Sequence, residues 1–184
     1  KKEARDRLGV PQGKKLLLFA AAKASDPRKG TGYLVEASHF LAAQYEDIHI
    51  LIAGSRGEEM QQHLGLPSTC MGHLKPDDMP TLYNAADLYV TPSLQENLPN
   101  TIMEAMACGT PCVGFDTGGI PEMIDHRENG YVARHKDAED LASGIRWALQ
   151  DVLHENLSAN ARAKVEEHYA HERVTTEDMK IYAS

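Results

Sequence analysis

Two glutamates separated by seven residues are the side chains of this sequence that most suggest chemistry. Glu96 follows an apolar run that predicts a strand, and Glu104 lies within the apolar segment 102–106. A charged carboxylate is costly to bury without a partner, so we do not expect Glu104 to be an unpaired core residue. A carboxylate can accept hydrogen bonds from two vicinal hydroxyl groups, as on a ribose. The alternative is an ordinary exposed helix residue.

The segment between the two glutamates predicts the start of a helix. Pro99 is expected near the first helical position, where its missing N–H costs nothing, and Glu104 about two turns inside the helix. The N–H groups of Asn100 and Thr101 then belong to the first turn and could point at an anion. This helix start is therefore a candidate anion site.

Three cations form a second candidate for anion binding. Lys23, Arg28 and Lys29 lie in a polar loop before a helix that is predicted to start at Gly30. Cationic side chains and the positive end of a helix dipole together suit a phosphate group. The alternative is a solvated loop, in which lysine and arginine are common.

Other familiar catalytic and cofactor motifs are absent from the sequence. Gly30-x-Gly32 lacks a third glycine, since Val35 occupies that position, and no acid ends the next strand, so NAD binding is rejected. No Asp-x-Asp pair, Gly-x-Ser-x-Gly elbow or Gly-x-x-x-x-Gly-Lys-Ser/Thr loop occurs. We expect no metal and no cofactor. Gly118-Gly119 predicts a turn before a helix, or alternatively a close approach of backbone to a ligand.

The predicted elements alternate between strands and helices along the whole chain. Apolar runs predict strands at 16–21, 48–54, 70–72, 87–93, 110–115 and 130–134. Helical patterns cover 31–45, 57–64, 76–86, 99–109, 121–125, 137–151 and a last polar region. This order predicts an α/β fold, a doubly wound parallel sheet of Rossmann type, in which ligands bind at the carboxyl ends of the strands.

Composition narrows the class of protein. The 184 residues suit a single domain, 1–184, and the formal net charge of -8 argues against nucleic acid as a partner. Three cysteines favour a reducing, cytoplasmic compartment. No apolar run approaches the about 20 residues of a membrane-spanning helix. Because the chain starts as KKEARDRLGV, we expect a segment of a longer protein.

At this point the motifs resemble a known family, the C-terminal domain of retaining GT-B glycosyltransferases, often called GT4. The likeness covers about residues 15–149. Its signature is Glu96, seven residues and Glu104, and then come EAMACGTP at 104–111, GGIPE at 118–122 and the Asn129-Gly130 turn.

The resemblance implies roles for individual residues. Lys29 matches a lysine that contacts the donor diphosphate, Glu104 the acid that binds the ribose, and Glu96 the acid that meets the transferred sugar. Lys23 stands where an arginine is usual in a Gly-Arg pair, so either Lys23 or Arg28 supplies the second phosphate cation. Glu96, Lys29 and Lys23 are thus the candidate catalytic residues. Other positions that match the donor site are Asn97, Leu98, Pro99, Asn100, Thr101, Leu74 (for the base), Gly54 and Ser55.

The implied reaction is transfer of a sugar from a nucleoside diphosphate sugar to an acceptor hydroxyl, with retention and without a metal. The acceptor would be a glycan or a lipid-linked glycan. The resemblance also implies a missing N-terminal acceptor domain, against which residues 170–184 would pack. The chain alone should then be inactive, and the whole protein cytoplasmic or peripheral at the inner membrane through the missing domain.

Two other classes of function are compatible with the same sequence. One is a sugar-nucleotide epimerase or a phosphorylase of the same GT-B plan. The other is a non-catalytic nucleotide-binding module, which the intact acidic pair disfavours.

Overall fold

The computed structural model describes residues 1–169 and contains a six-stranded, wholly parallel sheet. The strands lie in the order β3-β2-β1-β4-β5-β6, which is the classical doubly wound order. The predicted fold class is confirmed. The strands are β1 Lys15–Lys23, β2 Ile48–Ser55, β3 Ser68–Gly72, β4 Leu88–Thr91, β5 Cys112–Phe115 and β6 Gly130–Ala133.

Helices cover both faces of the sheet. They are α1 Lys2–Leu8, α2 Thr31–Ala42, α3 Gly57–Gln61, α4 Met79–Ala85, α5 Asn100–Ala107, α6 Ile120–Met123, α7 Ala138–Ala148 and α8 Asp151–His168. Two 3-10 turns, Pro27–Lys29 and Pro76–Asp78, precede α2 and α4. Within residues 1–169, no helix has the length and apolar character needed to cross a bilayer. The predicted tail at 170–184 lies outside the described residues.

The period of the strands explains why the apolar runs are continuous. Along β1, Leu16 and Leu18 belong to one core layer, and Leu17 and Phe19 belong to the layer on the other face. All four are buried because each face carries helices. A half-exposed sheet would instead have alternated apolar with polar residues.

Prolines account for two local differences from the sequence prediction. The helical segment predicted over 76–86 is present but begins as a 3-10 turn that leads directly into α4, because Pro80 has no N–H to bond to the carbonyl oxygen of Pro76. The strand predicted to reach residue 93 ends at Thr91, because Pro92 cannot donate to a neighbouring strand. Glu96 therefore lies in a loop and not at a strand end.

The first helix, α1, was not predicted, and a buried ion pair attaches it to the sheet. Arg5, only 5% exposed, donates to Asp87 Oδ2 at 2.7 Å and to the Ala85 carbonyl oxygen at 2.9 Å. The same Asp87 oxygen accepts the Leu16 N–H at 2.7 Å. Asp87 thus joins α1 to the amino ends of β1 and β4, at the edge opposite the carboxyl ends.

Replacing Asp87 with Asn should destabilise the fold by about 3 kcal/mol, because Arg5 loses its buried counter-charge. Burial raises the pKa of Asp87, but bonds from Lys1, the Leu16 N–H and Arg5 outweigh it and leave the pKa below its ordinary 3.8. The stabilisation is therefore full at neutral pH and is lost as the pH falls below 3.8 through the folded-state value. Urea unfolding at several pH values measures both effects.

Asp78→Asn is the matched control for that experiment. Asp78 pairs with Arg7 on the surface at 3.2 Å, and an exposed pair contributes at most about 1 kcal/mol. Equal losses in the two variants would contradict the structural role of Asp87.

Candidate functional site

Loops that follow β1, β4 and β5 meet around a polar cavity of about 590 Å³. The cavity opens where the strand order reverses between β1 and β4, which is the usual ligand site of doubly wound sheets. Its lining residues are Arg28, Lys29, Leu94, Gln95, Glu96, Asn97 and Thr117.

Glu96 and Lys29 form an ion pair in this cavity. Lys29 Nζ donates to Glu96 Oε1, and the Ser93 hydroxyl donates to the same oxygen at 2.9 Å. The Glu96 side chain is 14% exposed and that of Lys29 is 33% exposed. The fold thus brings together a cation suited to phosphate and a carboxylate suited to hydroxyl groups, from positions 67 residues apart.

The other predicted cations differ in their positions. Arg28 lines the cavity, and its guanidinium donates hydrogen bonds to the Asp26 carboxylate from Nε at 3.1 Å and from Nη2 at 2.7 Å. Hydrogen bonds from the side chain and backbone of Arg28 lower the pKa of Asp26 to about 2. Lys23 is the exposed last residue of β1 and does not line the cavity. Its role as the second phosphate cation stays a prediction.

The glycine turn at Gly118-Gly119 supports the loop that carries Glu96. The Gly119 N–H donates to the Asn97 carbonyl oxygen at 2.6 Å, and Gly118 has a φ of 53°. A Cβ at either glycine would overlap a carbonyl oxygen, that of Glu96 for Gly118 and that of Asn97 for Gly119. The turn was predicted, and the backbone that it approaches is the loop of the site itself.

A second, largely apolar cavity of about 550 Å³ lies beside α4 and α5. Glu104 lines it from the exposed side of α5 and accepts a hydrogen bond from the Tyr83 hydroxyl at 2.9 Å. Glu104 is the fifth residue of α5, so it lies about one turn inside the helix and not two. The lining residues are Leu74, Pro76, Met79, Pro80, Tyr83, Thr101, Glu104, Ala107 and Cys108.

A smaller cavity of about 140 Å³ adjoins the apolar one at the carboxyl ends of β1 and β2. Leu74, Met79 and Thr101 line both. Gly54 also lines the smaller cavity, whereas Ser55 is exposed and donates to the Ala22 carbonyl oxygen at 2.9 Å. The cavities together follow the carboxyl edge of the sheet from the β3 loop to the β5 loop.

The predicted segment between the glutamates runs from the polar cavity into α5. Asn97 lines the polar cavity and Leu98 is exposed. Pro99 is buried and is the N-cap of α5. It was predicted near the first helical position, which Asn100 occupies instead. Asn100 and Thr101 therefore lie in the first turn, where N–H groups have no partner within the helix.

Sequence reasoning missed Ser93, Thr117 and Tyr83. Ser93 and Thr117 each come two residues after a strand, so the rule that polar residues behind parallel strands line the site could have found them. Tyr83 had no such signal, because it lies inside a helix and meets Glu104 only through the packing of α4 on α5.

Comparison with known proteins identifies the family. The model of the family "Glycosyl transferases group 1" matches residues 14–151. The chain belongs to this family. An uncharacterized glycosyltransferase from Methanocaldococcus jannaschii is 30% identical over 97% of this chain and 47% of its own length. The recognition made from the Glu96–Glu104 signature is thus confirmed at the level of group 1 glycosyltransferases.

Solved structures show which half of the fold is present. The C-terminal domain of a group 1 family protein (LpcC) from Francisella tularensis matches 91% of this chain and 92% of its own, with a TM-score of 0.78 and 22% identity. Anabaena HepE in complex with UDP-glucose matches 99% of this chain and 52% of its own, with a TM-score of 0.82 and 23% identity. The chain therefore has the fold of the C-terminal half of GT-B. It spans about half the length of the curated relatives that it matches.

Gly118→Ala should disturb the candidate site through the loop that carries Glu96. The alanine must hold a left-handed backbone, which costs about 1–2 kcal/mol, and its Cβ pushes the Glu96 carbonyl away. We expect lower stability in urea and faster hydrogen exchange of the Gly119 amide, because its bond to Asn97 is broken. Gly13→Ala is the control, since a Cβ there meets no atom within 4 Å. Unchanged exchange in Gly118→Ala would show that the loop does not depend on this turn.

Proposed function

We propose that this domain binds a nucleoside diphosphate sugar and that the whole protein transfers the sugar to an acceptor hydroxyl, with retention and without a metal ion, as in GT4 enzymes. The observation that carries this proposal is the Lys29–Glu96 pair in a cavity at the strand switch point. The polar cavity, the smaller cavity and the apolar cavity with Glu104 lie along one edge of the sheet, as the parts of one extended ligand would require. HepE, which shares the fold, has been solved with such a donor.

The nucleoside would occupy the apolar cavity. Leu74 and Met79 offer apolar surface for a base, and Glu104 stands at the same cavity with a carboxylate for the two ribose hydroxyls. Thr101, shared with the smaller cavity, lies on the way from the ribose to the carboxyl ends of β1 and β2.

The diphosphate would lie between the start of α5 and the polar cavity. First-turn N–H groups of Asn100 and Thr101, together with Lys29 and Arg28, offer donors and positive charge without a metal. Groups fixed in this way stabilise the charge that develops on the leaving diphosphate. Lys23 is the further candidate at the edge of this region.

Glu96 would receive the hydroxyl groups of the transferred sugar, a hexose in this proposal. Cleavage of the bond to the phosphate leaves an oxocarbenium-like sugar, and a carboxylate nearby favours that positive charge. No side chain is assigned as an enzymic nucleophile. The acceptor oxygen bonds to the anomeric carbon on the face from which the diphosphate departs, and the leaving phosphate takes the acceptor proton, so the configuration is retained.

The acceptor, a glycan or a lipid-linked glycan, would bind on a second, N-terminal domain. We therefore expect nucleotide binding, but no turnover, from the 184 residues alone. We also propose that the protein acts on the cytoplasmic side of the membrane.

Calorimetric titration with UDP, GDP and ADP, each with and without EDTA, tests the donor site. We expect one base to be preferred, binding that survives EDTA, and a loss of about ten-fold or more in Glu104→Ala, because charged hydrogen bonds to the ribose disappear. Glu36→Ala, an exposed glutamate on α2, is the control and should bind like the wild type. Binding that requires metal, or that ignores Glu104→Ala, would contradict the proposal.

Glu96→Gln should change the binding of the diphosphate and the binding of the sugar in opposite directions. Glutamine keeps the shape but releases Lys29 from its anionic partner, so the nucleoside diphosphate alone should bind about five-fold more tightly, a gain of about 1 kcal/mol that falls at high salt. The preference for the nucleotide sugar over the diphosphate should fall in the same variant. Titrations at two salt concentrations, with Glu36→Gln as control, measure both. Weaker diphosphate binding in Glu96→Gln would overturn the competition for Lys29.

A further inference from the structure

The carboxylate of Glu104 has a buried phenol beside it. Tyr83 Oη donates to Glu104 Oε2 at 2.9 Å, and both residues line the apolar cavity. Tyr83 is 1% exposed, whereas Glu104 is exposed on α5. A fixed donor from α4 therefore holds one oxygen of a side chain that solvent would otherwise leave free to change rotamer.

Tyr83 is itself held in place from two sides. Its ring packs edge-on against the ring of buried Tyr89, with centroids 5.9 Å apart and an interplanar angle of 88°. Its carbonyl oxygen accepts the Thr110 hydroxyl at 2.8 Å. The phenol oxygen is thus positioned by the core and not by Glu104.

The phenol keeps its proton over the whole physiological range. Burial raises the pKa of Tyr83, and the neighbouring Tyr89 and Glu104 raise it further. Tyr83 can therefore act as a steady donor to the carboxylate. One lone-pair direction of Oε2 is occupied, and Oε1 remains to accept from a ligand.

We propose that Tyr83 is a positioning residue that orients Glu104 toward a vicinal diol and so makes the site select ribonucleotides over deoxyribonucleotides. This inference rests on the proposed function, in which Glu104 receives the ribose. A site built to bond a hydroxyl rejects analogues that lack it, and the rejection is sharp only when the acceptor is fixed. Without Tyr83, the Glu104 side chain can turn into solvent. Binding of the diol then has to fix its rotamer, which lowers the affinity.

The experiment compares nucleotides that differ only in one hydroxyl. The nucleoside diphosphate of the preferred base, its 2′-deoxy form and its 3′-deoxy form are titrated into the wild type and into Tyr83→Phe, which keeps the packed ring and removes only the donor. We expect the wild type to prefer the ribonucleotide by at least ten-fold. In Tyr83→Phe this preference should fall to about three-fold or less, almost entirely through weaker ribonucleotide binding.

Tyr131→Phe is the matched control. Tyr131 also donates to a carboxylate, Asp140 Oδ1 at 3.0 Å, but it lines none of the three cavities of the site. Removing its hydroxyl should lower the melting temperature by an amount similar to Tyr83→Phe and leave the preference for ribose unchanged. If lost stability alone weakened the preference for ribose, the preference would fall equally in Tyr83→Phe and Tyr131→Phe.

The outcomes separate this inference from the function on which it rests. A wild type that binds ribo- and deoxynucleotides equally would overturn the assignment of Glu104 to the ribose, and with it the proposed donor site. A wild type that discriminates, with a folded Tyr83→Phe that discriminates as well, would overturn the role of Tyr83 alone. If Tyr83→Phe does not fold, 4-fluorophenylalanine incorporated in place of Tyr83 provides the test, because it fills the volume of the hydroxyl without donating a hydrogen bond. The preference for ribose should fall as expected for Tyr83→Phe, and an unchanged preference would overturn the inference.

Discussion

The close contact between the loop after β4 and the glycines at its sides is the constraint on which the candidate site depends. A Cβ at Gly30 would overlap the Pro92 carbonyl oxygen, and one at Gly118 would overlap that of Glu96. The loop is therefore clamped between the turn that follows β1 and the turn that follows β5. This clamp places the Glu96 side chain against Lys29 and turns the chain so that α5 begins at the edge of the same cavity.

The two glutamates of the site have donors of different kinds, which gives them different behaviour. Glu96 meets a cation, Lys29, that a diphosphate can take over, and a neutral hydroxyl, Ser93, that stays behind. In the described contacts, Glu104 accepts a hydrogen bond only from the Tyr83 phenol. Because the phenol is neutral, an anionic ligand does not compete for it. Under the proposed function, Glu96 would exchange its partner when a donor binds, whereas Glu104 would keep its own.

The sequence predicted the fold class and the family better than the geometry of the candidate site. The motif at 96–111 and the alternation of strands and helices were sufficient for the fold class and for the recognition of the family, because both depend on local pattern. For Lys29 and Glu96, the sequence predicted only that both lie at the carboxyl edge of the sheet, not that they contact each other. The Tyr83–Glu104 bond could not be anticipated, because it depends on how α4 packs against α5. The buried Arg5 was invisible for the same reason, since its partner Asp87 is 82 residues away.

Under the proposed function, the charges around the polar cavity predict weak donor binding by this half of a GT-B fold. Arg28 is already neutralised by Asp26, and Lys29 is neutralised by Glu96. A diphosphate must displace a carboxylate from at least one of these cations, or rely on helix N–H groups and on a cation supplied from elsewhere. Lys23 at the exposed end of β1 would be one such source, and the second domain of the proposed whole protein would be another. Under the proposed function, domain closure would also exclude water and so strengthen each remaining charge interaction, and tight donor binding and catalysis would then be properties of a closed, two-domain protein.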